Sequence, residues 1–435
     1  MLIRFSVQNF LSIRDRQTLD FTAVKTCKER MDDNTFEAGG QRLLKSIALY
    51  GANASGKSNI MTAFTFLRGM ILNSAKDRQS PDEIPTIPFL FRDSTSNVPS
   101  CFEIEFILGD NGYRYGFEVT RAAVISEWLF RKPFPKNKET TLFRRALNNG
   151  EDTIDVTSEF KAAESVVVHT RENGLFLSTC DLLAIKEVKP MIHLFAKSIT
   201  AVSGERISPG FSSQCVMDGS LKKDILGFLQ AADTCIQDLS INELKQDADG
   251  MEIGSPRRAR SRLEIKSHHH MYSENDDVCG EMQLPFVFES LGTQKLFALA
   301  GPIIDTLRNG SVLFIDEMDS RIHPVLTRNI VRLFNSQKSN PNNAQLVFNT
   351  HDTNLLSFKT YNPDTEKDEL FLRRDQIYFA EKDKTEATHV YSLIEFKNED
   401  GLTIRNDASF EKDYLGGRYG AVPYIGAFPF VEESP

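Results

Sequence analysis

The sequence predicts an α/β fold built on a mixed sheet, with antiparallel strands at the N-terminus and a helical insert midway along the chain. Three observations predict it. A short, almost wholly apolar run, Ser46-Ile-Ala-Leu-Tyr50, leads straight into a glycine-rich loop, Gly51-Ala-Asn-Ala-Ser-Gly-Lys-Ser58, and then into apolar residues at helical spacing. A second apolar run, Val312-Leu-Phe-Ile315, ends in two acids, Asp316 and Glu317. Strand and helix patterns alternate from Phe286 onward, through 345–348 and 376–379. Apolar runs of this length, bounded by turn residues, read as parallel strands buried on both faces.

The remaining elements follow in chain order. Ile3, Phe5 and Val7 alternate with Arg4, Ser6 and Gln8, the period of a half-buried strand, and residues 17–22 supply its return. After the glycine loop, Ile60, Ala63, Phe64, Leu67 and Ile71 fall on one helix face. Phe102, Ile104 and Phe106, then Tyr113, Tyr115, Phe117 and Val119, flank Gly109-Asp-Asn-Gly112 and predict a hairpin. From 158 to 245 the spacing turns helical, most clearly over 182–196 and 221–239. No heptad is sustained, so a compact insert is expected and not a coiled-coil arm. Residues 247–277 are polar, carry Pro256-Arg-Arg-Ala-Arg-Ser-Arg262, and read as a loop apart from a short strand over 262–265. Residues 370–379 and 391–396 read as strands. The chain divides into 1–157, a mostly helical 158–280 with its basic loop, and 281–435.

Gly51-x-x-x-x-Gly56-Lys57-Ser58 has the spacing of a Walker A loop, which makes the fold a P-loop NTPase. Glycine is needed where backbone N–H groups turn onto phosphate oxygens with no Cβ in the way. Lys57 brings a point charge to the β- and γ-phosphates, and Ser58 a hydroxyl for Mg²⁺. The expected nucleotide-binding set is Gly51, Asn53, Ala54, Ser55, Gly56, Lys57, Ser58 and Asn59. Asp316 stands at the carboxyl end of its strand, where open α/β sheets bind ligands, and is expected to hold Mg²⁺ with Ser58. Glu317 is expected to polarise the attacking water. Two acids after a strand are by themselves compatible with a solvated strand end; the glycine loop upstream decides for the catalytic reading. Ser290-Leu-Gly292-Thr293 precedes a helical run and offers a hydroxyl, free N–H groups and a positive dipole end to an anion. One Walker A loop and a second phosphate-facing loop in one chain point to ATP held between two copies. His351 follows the strand at 345–348, where it can hydrogen-bond a γ-phosphate oxygen.

The order of these motifs resembles the ABC-type ATPase heads of the SMC, RecF and OLD proteins. Phe5-x-Val-x-Asn-Phe-x-Ser-Ile13 is similar to the start of RecF-like chains. Asp316-Glu-Met-Asp-Ser-Arg-Ile-His323-Pro324 is similar to the D-E-x-D-x-x-L-H-P run of the OLD and RloA group, and residues 414–423 are similar to the tail of RloA-like ATPases. The resemblance implies an ABC-type ATPase head with ATP and Mg²⁺ as cofactors. In it Ser290, Gly292 and Thr293 of one copy cover the nucleotide of the other, Asp319 and Ser320 lie at the seam, and Lys57, Glu317 and His351 are catalytic. Leu291 replaces the first glycine of the transporter-style signature, as in RecF-like signatures, and the Q-loop is expected over 85–91. RloA-like ATPases are commonly encoded beside a Toprim-related nuclease. The resemblance therefore implies a homodimeric or larger switch that controls a separate effector in antiviral defence. The alternative is a RecF-like repair ATPase that binds DNA directly, and a third reading is a scaffold that binds nucleotide with negligible turnover.

Composition sets the outer bounds. With 40% hydrophobic and 26% charged residues over 435 positions, the chain is neither disordered nor collagen-like. No window approaches the roughly 18 uncharged apolar residues of a membrane span, and the N-terminus lacks a signal-peptide pattern, so a cytoplasmic protein is expected. Six scattered cysteines without a C-x-x-C pair point to reduced thiols. The net charge of −9 confines any nucleic-acid contact to a local patch or to a partner; Arg257, Arg258, Arg260 and Arg262 are the candidate patch, for nucleic-acid phosphates or an acidic partner surface. His268-His-His270 occupies consecutive positions that converge poorly on one tetrahedral ion, so no metal is expected there. Beyond His351 there is no nuclease-type acidic constellation, which places effector chemistry in another chain.

Overall fold

The computed structural model describes residues 1–134, 138–148, 150–203, 207–244, 262–362, 366–397, 401, 403–405 and 408–423. Two sheets face each other across one helix. The first is antiparallel, seven-stranded, and runs in the order Glu151–Val156, Thr140–Asn148, Val124–Pro133, Asn111–Val119, Ser100–Leu108, Leu2–Gln8, Gln17–Asp20. The second is mixed, in the order Ile199–Ser203, Val312–Asp316, Gln345–Asn349, Ser46–Tyr50, Ile377–Lys382, Thr388–Ser392; its first five strands are parallel and the last is antiparallel. The α/β class read from the sequence holds, and so do the N-terminal strand pair and the hairpin at Gly109.

The period-two pattern of the central strands decides what lies on either side. Val312, Phe314 and Val347 join the core shared with the antiparallel sheet. Leu313, Ile315, Leu346 and Phe348 point the other way, into a core covered by the helices Leu291–Asn309, Pro324–Asn335 and Lys222–Ala231. The helix Lys57–Asn73 fills the space between the sheets. Its Phe64 stacks on Phe314 with ring centroids 3.7 Å apart and meets Phe5 of the N-terminal strand edge-on at 5.3 Å. The helix that begins at the glycine loop is thereby fixed against both sheets.

The stretch 158–280 differs from its helical reading. Phe176–Leu182, Lys189–His193, Gly210–Met217 and Lys222–Ala231 are helical. However, Ile199–Ser203 is a strand that extends the central sheet beside Val312–Asp316. Asp238–Leu244, Arg262–Tyr272 and Val278–Pro285 form a separate antiparallel sheet. Asp238–Leu244 and Arg262–Tyr272 reach the core through Leu239, Ile241 and Ile265, with polar residues between them, and Val278–Pro285 buries none of its residues. Short half-buried strands carry a weak alternation, and charged residues on the outer face mask it. The expected strand over 370–379 likewise divides into Lys367–Leu370 and Ile377–Lys382. Among the described residues no helix is long and apolar enough to cross a membrane. The six cysteines are unpaired. Arg257, Arg258 and Arg260 lie outside the described residues, as does the side chain of Arg262.

Lys45, one residue before the strand of the glycine loop, is 1% exposed, and its Nζ has no hydrogen-bond partner among the described residues. Burial pushes its ammonium down to about 8, against the opposing charge of Asp33. Replacing an unsatisfied buried cation with an apolar chain of similar length removes a desolvation cost. Lys45→Met is expected to raise the denaturation midpoint, with a gain of about 1–3 kcal/mol; a lower midpoint in urea would contradict this.

Candidate nucleotide-binding site

The loop after Ser46–Tyr50 is shaped by backbone geometry that side chains would block. Gly56, at φ +100°, sits where a Cβ would lie 2.0 Å from Thr388 Oγ1, and a Cβ on Gly51 would lie 2.3 Å from the Ala380 carbonyl. Ala54 adopts φ +63° between them. Two distant segments hold the loop from below. Thr388 Oγ1 donates to Ser55 O at 2.9 Å and pairs with Ser12 Oγ at 2.7 Å, and Asn59 Nδ2 donates to Ser12 Oγ at 2.6 Å. The N-terminal loop and the final hairpin therefore brace the turn that the sequence reads alone.

A cavity of about 280 Å³ opens above this loop, walled by Asn53, Ala54, Ser55, Gly56, Lys57, Ser58, Asn59, Glu317, Asn349, His351 and Lys382. Lys57 Nζ donates to Gly51 O at 2.7 Å and Ala52 O at 2.9 Å. Burial lowers its pKa, while the charges of Asp316, Asp319 and Glu317 act in the opposite direction. Ser58 Oγ donates to Asp316 Oδ1 at 3.1 Å. A hydroxyl and a carboxylate oxygen side by side are the hard donors that Mg²⁺ takes from a protein when phosphate and water fill its other positions. Among the described residues no group of three or more His, Cys, Asp or Glu is placed to hold a metal by itself. The donor set thus fits a cation shared with a phosphate, and the glycine cradle fits the phosphate.

Asn349 organises the acidic pair. Its Nδ2 donates to Asp316 Oδ1, its Oδ1 accepts the Glu317 N–H, and its backbone oxygen accepts Met318 N at 3.2 Å. From the other side, Lys295 Nζ donates to Glu317 O and Ser320 O, both at 2.7 Å. Burial pushes that ammonium down to about 8, with Asp319 the largest opposing charge. Glu317 therefore has both backbone polar groups held, which sustains its left-handed φ of +49°. The His351 N–H donates to Asp319 Oδ2 at 2.8 Å. Burial first, and then the Lys57 charge, depress the His351 imidazole below its ordinary value. Both effects favour the neutral ring, which has one N–H to donate and one nitrogen to accept.

Asn349→Ala is expected to lower turnover by about 10–100-fold with little change in nucleotide affinity, because it frees residues that touch the reacting groups but spares the phosphate cradle. Steady-state kinetics read both terms, and a change confined to KM would contradict this role.

Ser290, Gly292 and Thr293 lie elsewhere, at the start of the helix Leu291–Asn309. Ser290 caps that helix, its Oγ accepting Thr293 N at 3.1 Å and pairing with Thr293 Oγ1 at 2.8 Å. A Cβ on Gly292 would lie 2.7 Å from Arg321 O. Ser290 and Leu291 face solvent, Thr293 is half-buried, and none of the three walls the cavity over Lys57. The expected Q-loop region, 85–91, packs on the N-terminal loop, with Ile87 O accepting Leu11 N and Asn9 Oδ1 accepting Phe89 N. Sequence reasoning missed Asn349, Lys382, Lys295, Ser12 and Thr388. Asn349 carried a signal, a polar residue ending a buried strand; the others have none outside the fold.

A family profile described as "AAA domain, putative AbiEii toxin, Type IV TA system" matches residues 46–173 and 237–357, more than half of the chain. The chain belongs to this AAA-domain family. The matched segments hold the glycine loop, Ser290, the Asp316–Glu317 pair, Asn349 and His351, so every residue of the cavity wall except Lys382 belongs to the AAA domain. Lys382 and Thr388 lie beyond it. Among solved structures, the chain is similar to one titled as the SMC head bound to the C-winged helix domain of ScpA, at 14% identity and a TM-score of 0.37, covering 90% of this chain and 97% of that one. It is also similar to one titled as the recombination mediator protein RecF-ATPrS in the RecFOR pathway, at 15% identity and a TM-score of 0.31, covering 87% of this chain and 97% of that one. The search of curated proteins found no match.

Proposed function

We propose that the chain is a Mg²⁺-dependent ATPase that closes as a pair of copies around ATP and thereby switches a separate effector in antiviral defence. The observation that carries this reading is the convergence on one cavity of Lys57, Ser58 and Glu317, with Asp316 hydrogen-bonded to Ser58. A cation held there would supply positive charge against the charge that develops on the phosphate oxygens. Ser58 and Asp316 would hold the cation, directly or through water. Lys57 exchanges its carbonyl partners for phosphate oxygens, and Glu317 accepts the proton of the attacking water. Neutral His351 donates to a γ-phosphate oxygen. The exposed Ser290 cap, away from its own cavity, favours delivery of that loop to the nucleotide of a second copy. Hydrolysis removes the bridging charge and releases the pair. The family description, which names an AbiEii toxin and a type IV TA system, supports the defence role.

The test is direct. Purified chain is expected to hydrolyse ATP only with Mg²⁺, and Lys57→Ala to reduce turnover to background. Protection of cells from phage by the chain with its neighbouring reading frame is expected to vanish with the same substitution. Wild-type turnover in Lys57→Ala would overturn the reading.

A further inference from the structure

The loop from Val287 to Leu291 is exposed at four of its five positions: Val287 is 74% exposed, Phe288 71% and Leu291 57%, and Ser290 faces solvent. Glu289 is the exception, with a side chain only 10% exposed. Its Oε1 accepts Ser267 Oγ at 2.5 Å and His269 Nε2 at 2.8 Å. A carboxylate can only accept, so Nε2 carries the ring proton. Ser267 and His269 are two apart on the strand Arg262–Tyr272 and share one of its faces. His268 points to the other face, where its ring joins Ser240 and Glu281 of the two neighbouring strands. The histidine run is thus a two-sided clamp: one ring ties the three-stranded sheet together, and the next ties that sheet to the residue before Ser290. Gln294 completes the hold by donating its side-chain amide to Glu289 O at 2.8 Å and Val287 O at 3.3 Å.

We infer that Glu289, Ser267 and His269 are positioning residues that set the pose of the Ser290–Thr293 cap, and that the sheet of Asp238–Leu244, Arg262–Tyr272 and Val278–Pro285 acts on the nucleotide through them. The inference rests on the reading that this cap covers the nucleotide of a second copy. The clamp touches neither the cavity over Lys57 nor the acidic pair, so nucleotide binding by a single copy does not depend on it. Closure of the pair does, because a loop free to wander must be ordered at the moment of contact.

The experiment measures two quantities on the full chain carrying Glu317→Gln: ATP affinity at protein concentrations where it is monomeric, and ATP-driven dimerisation by sedimentation. Glu289→Ala and His269→Leu are each expected to weaken dimerisation by about tenfold or more while leaving monomer ATP affinity within about twofold, the scale of a lost charged hydrogen bond. His269→Gln, which returns a donor near the Nε2 position, is expected to restore most of the loss. Ser290→Arg is the control for the underlying reading. If Ser290→Arg leaves dimerisation intact, that reading fails. If Ser290→Arg abolishes it while Glu289→Ala and His269→Leu do not weaken it, or if His269→Gln fails to rescue His269→Leu, the clamp inference fails and the reading stands.

Discussion

Glu317→Gln is expected to bind ATP as tightly as the wild type and to hydrolyse it about 10²–10⁴ times more slowly, the range a positioned general base contributes. The amide keeps the size of the carboxylate, and the hold on this residue is on its backbone: Asn349 accepts its N–H and Lys295 donates to its carbonyl. The backbone should stay in place while the proton acceptor is lost. Asp316, Ser58 and Lys57 are untouched, so binding of the triphosphate persists and the closed pair accumulates. Single-turnover kinetics with equilibrium binding separate the two terms. Hydrolysis at the wild-type rate would remove Glu317 from the role of base.

Gly56→Ala is expected to damage the nucleotide loop severely. Its φ of +100° disfavours any side chain, and the new Cβ would lie 2.0 Å from Thr388 Oγ1, 2.8 Å from Thr388 Cγ2 and 2.9 Å from Ser12 Oγ. These atoms belong to the Ser12–Thr388–Ser55 brace, so relief of the overlap breaks the contacts that hold the loop. Strain and overpacking each cost about 1–3 kcal/mol. The denaturation midpoint should fall, and ATP affinity should drop by at least about tenfold. A variant that binds ATP normally would show that the loop's shape is set elsewhere.

How much of this was legible in the sequence depends on how local each signal is. Strand, glycine loop and helix at residues 46–73 are contiguous, and each has its own period and turn chemistry, so they were read correctly without any neighbour. The Asp316–Glu317 pair was legible for the same reason. The brace was not: Ser12 and Thr388 are 376 positions apart, and nothing in either segment points to the other. Asn349 escapes the sequence reading because its importance comes from the parallel pairing that brings its strand beside Val312–Asp316. The strand Ile199–Ser203 was taken for helix since its five residues gain stability only at the edge of a sheet whose other strands lie elsewhere in the chain. The sequence shows His268 and His269 only as consecutive histidines; their use as a clamp appears once strand geometry turns them to opposite faces.

The measurement that bears most directly on the central claim is a structure of the Glu317→Gln chain with ATP and Mg²⁺. The expected result is a pair of copies with the triphosphate on residues 51–58, Lys57 Nζ on its terminal phosphates, and Ser290–Thr293 of the second copy against the γ-phosphate. A saturated single copy, or a nucleotide seated away from Lys57, would contradict it.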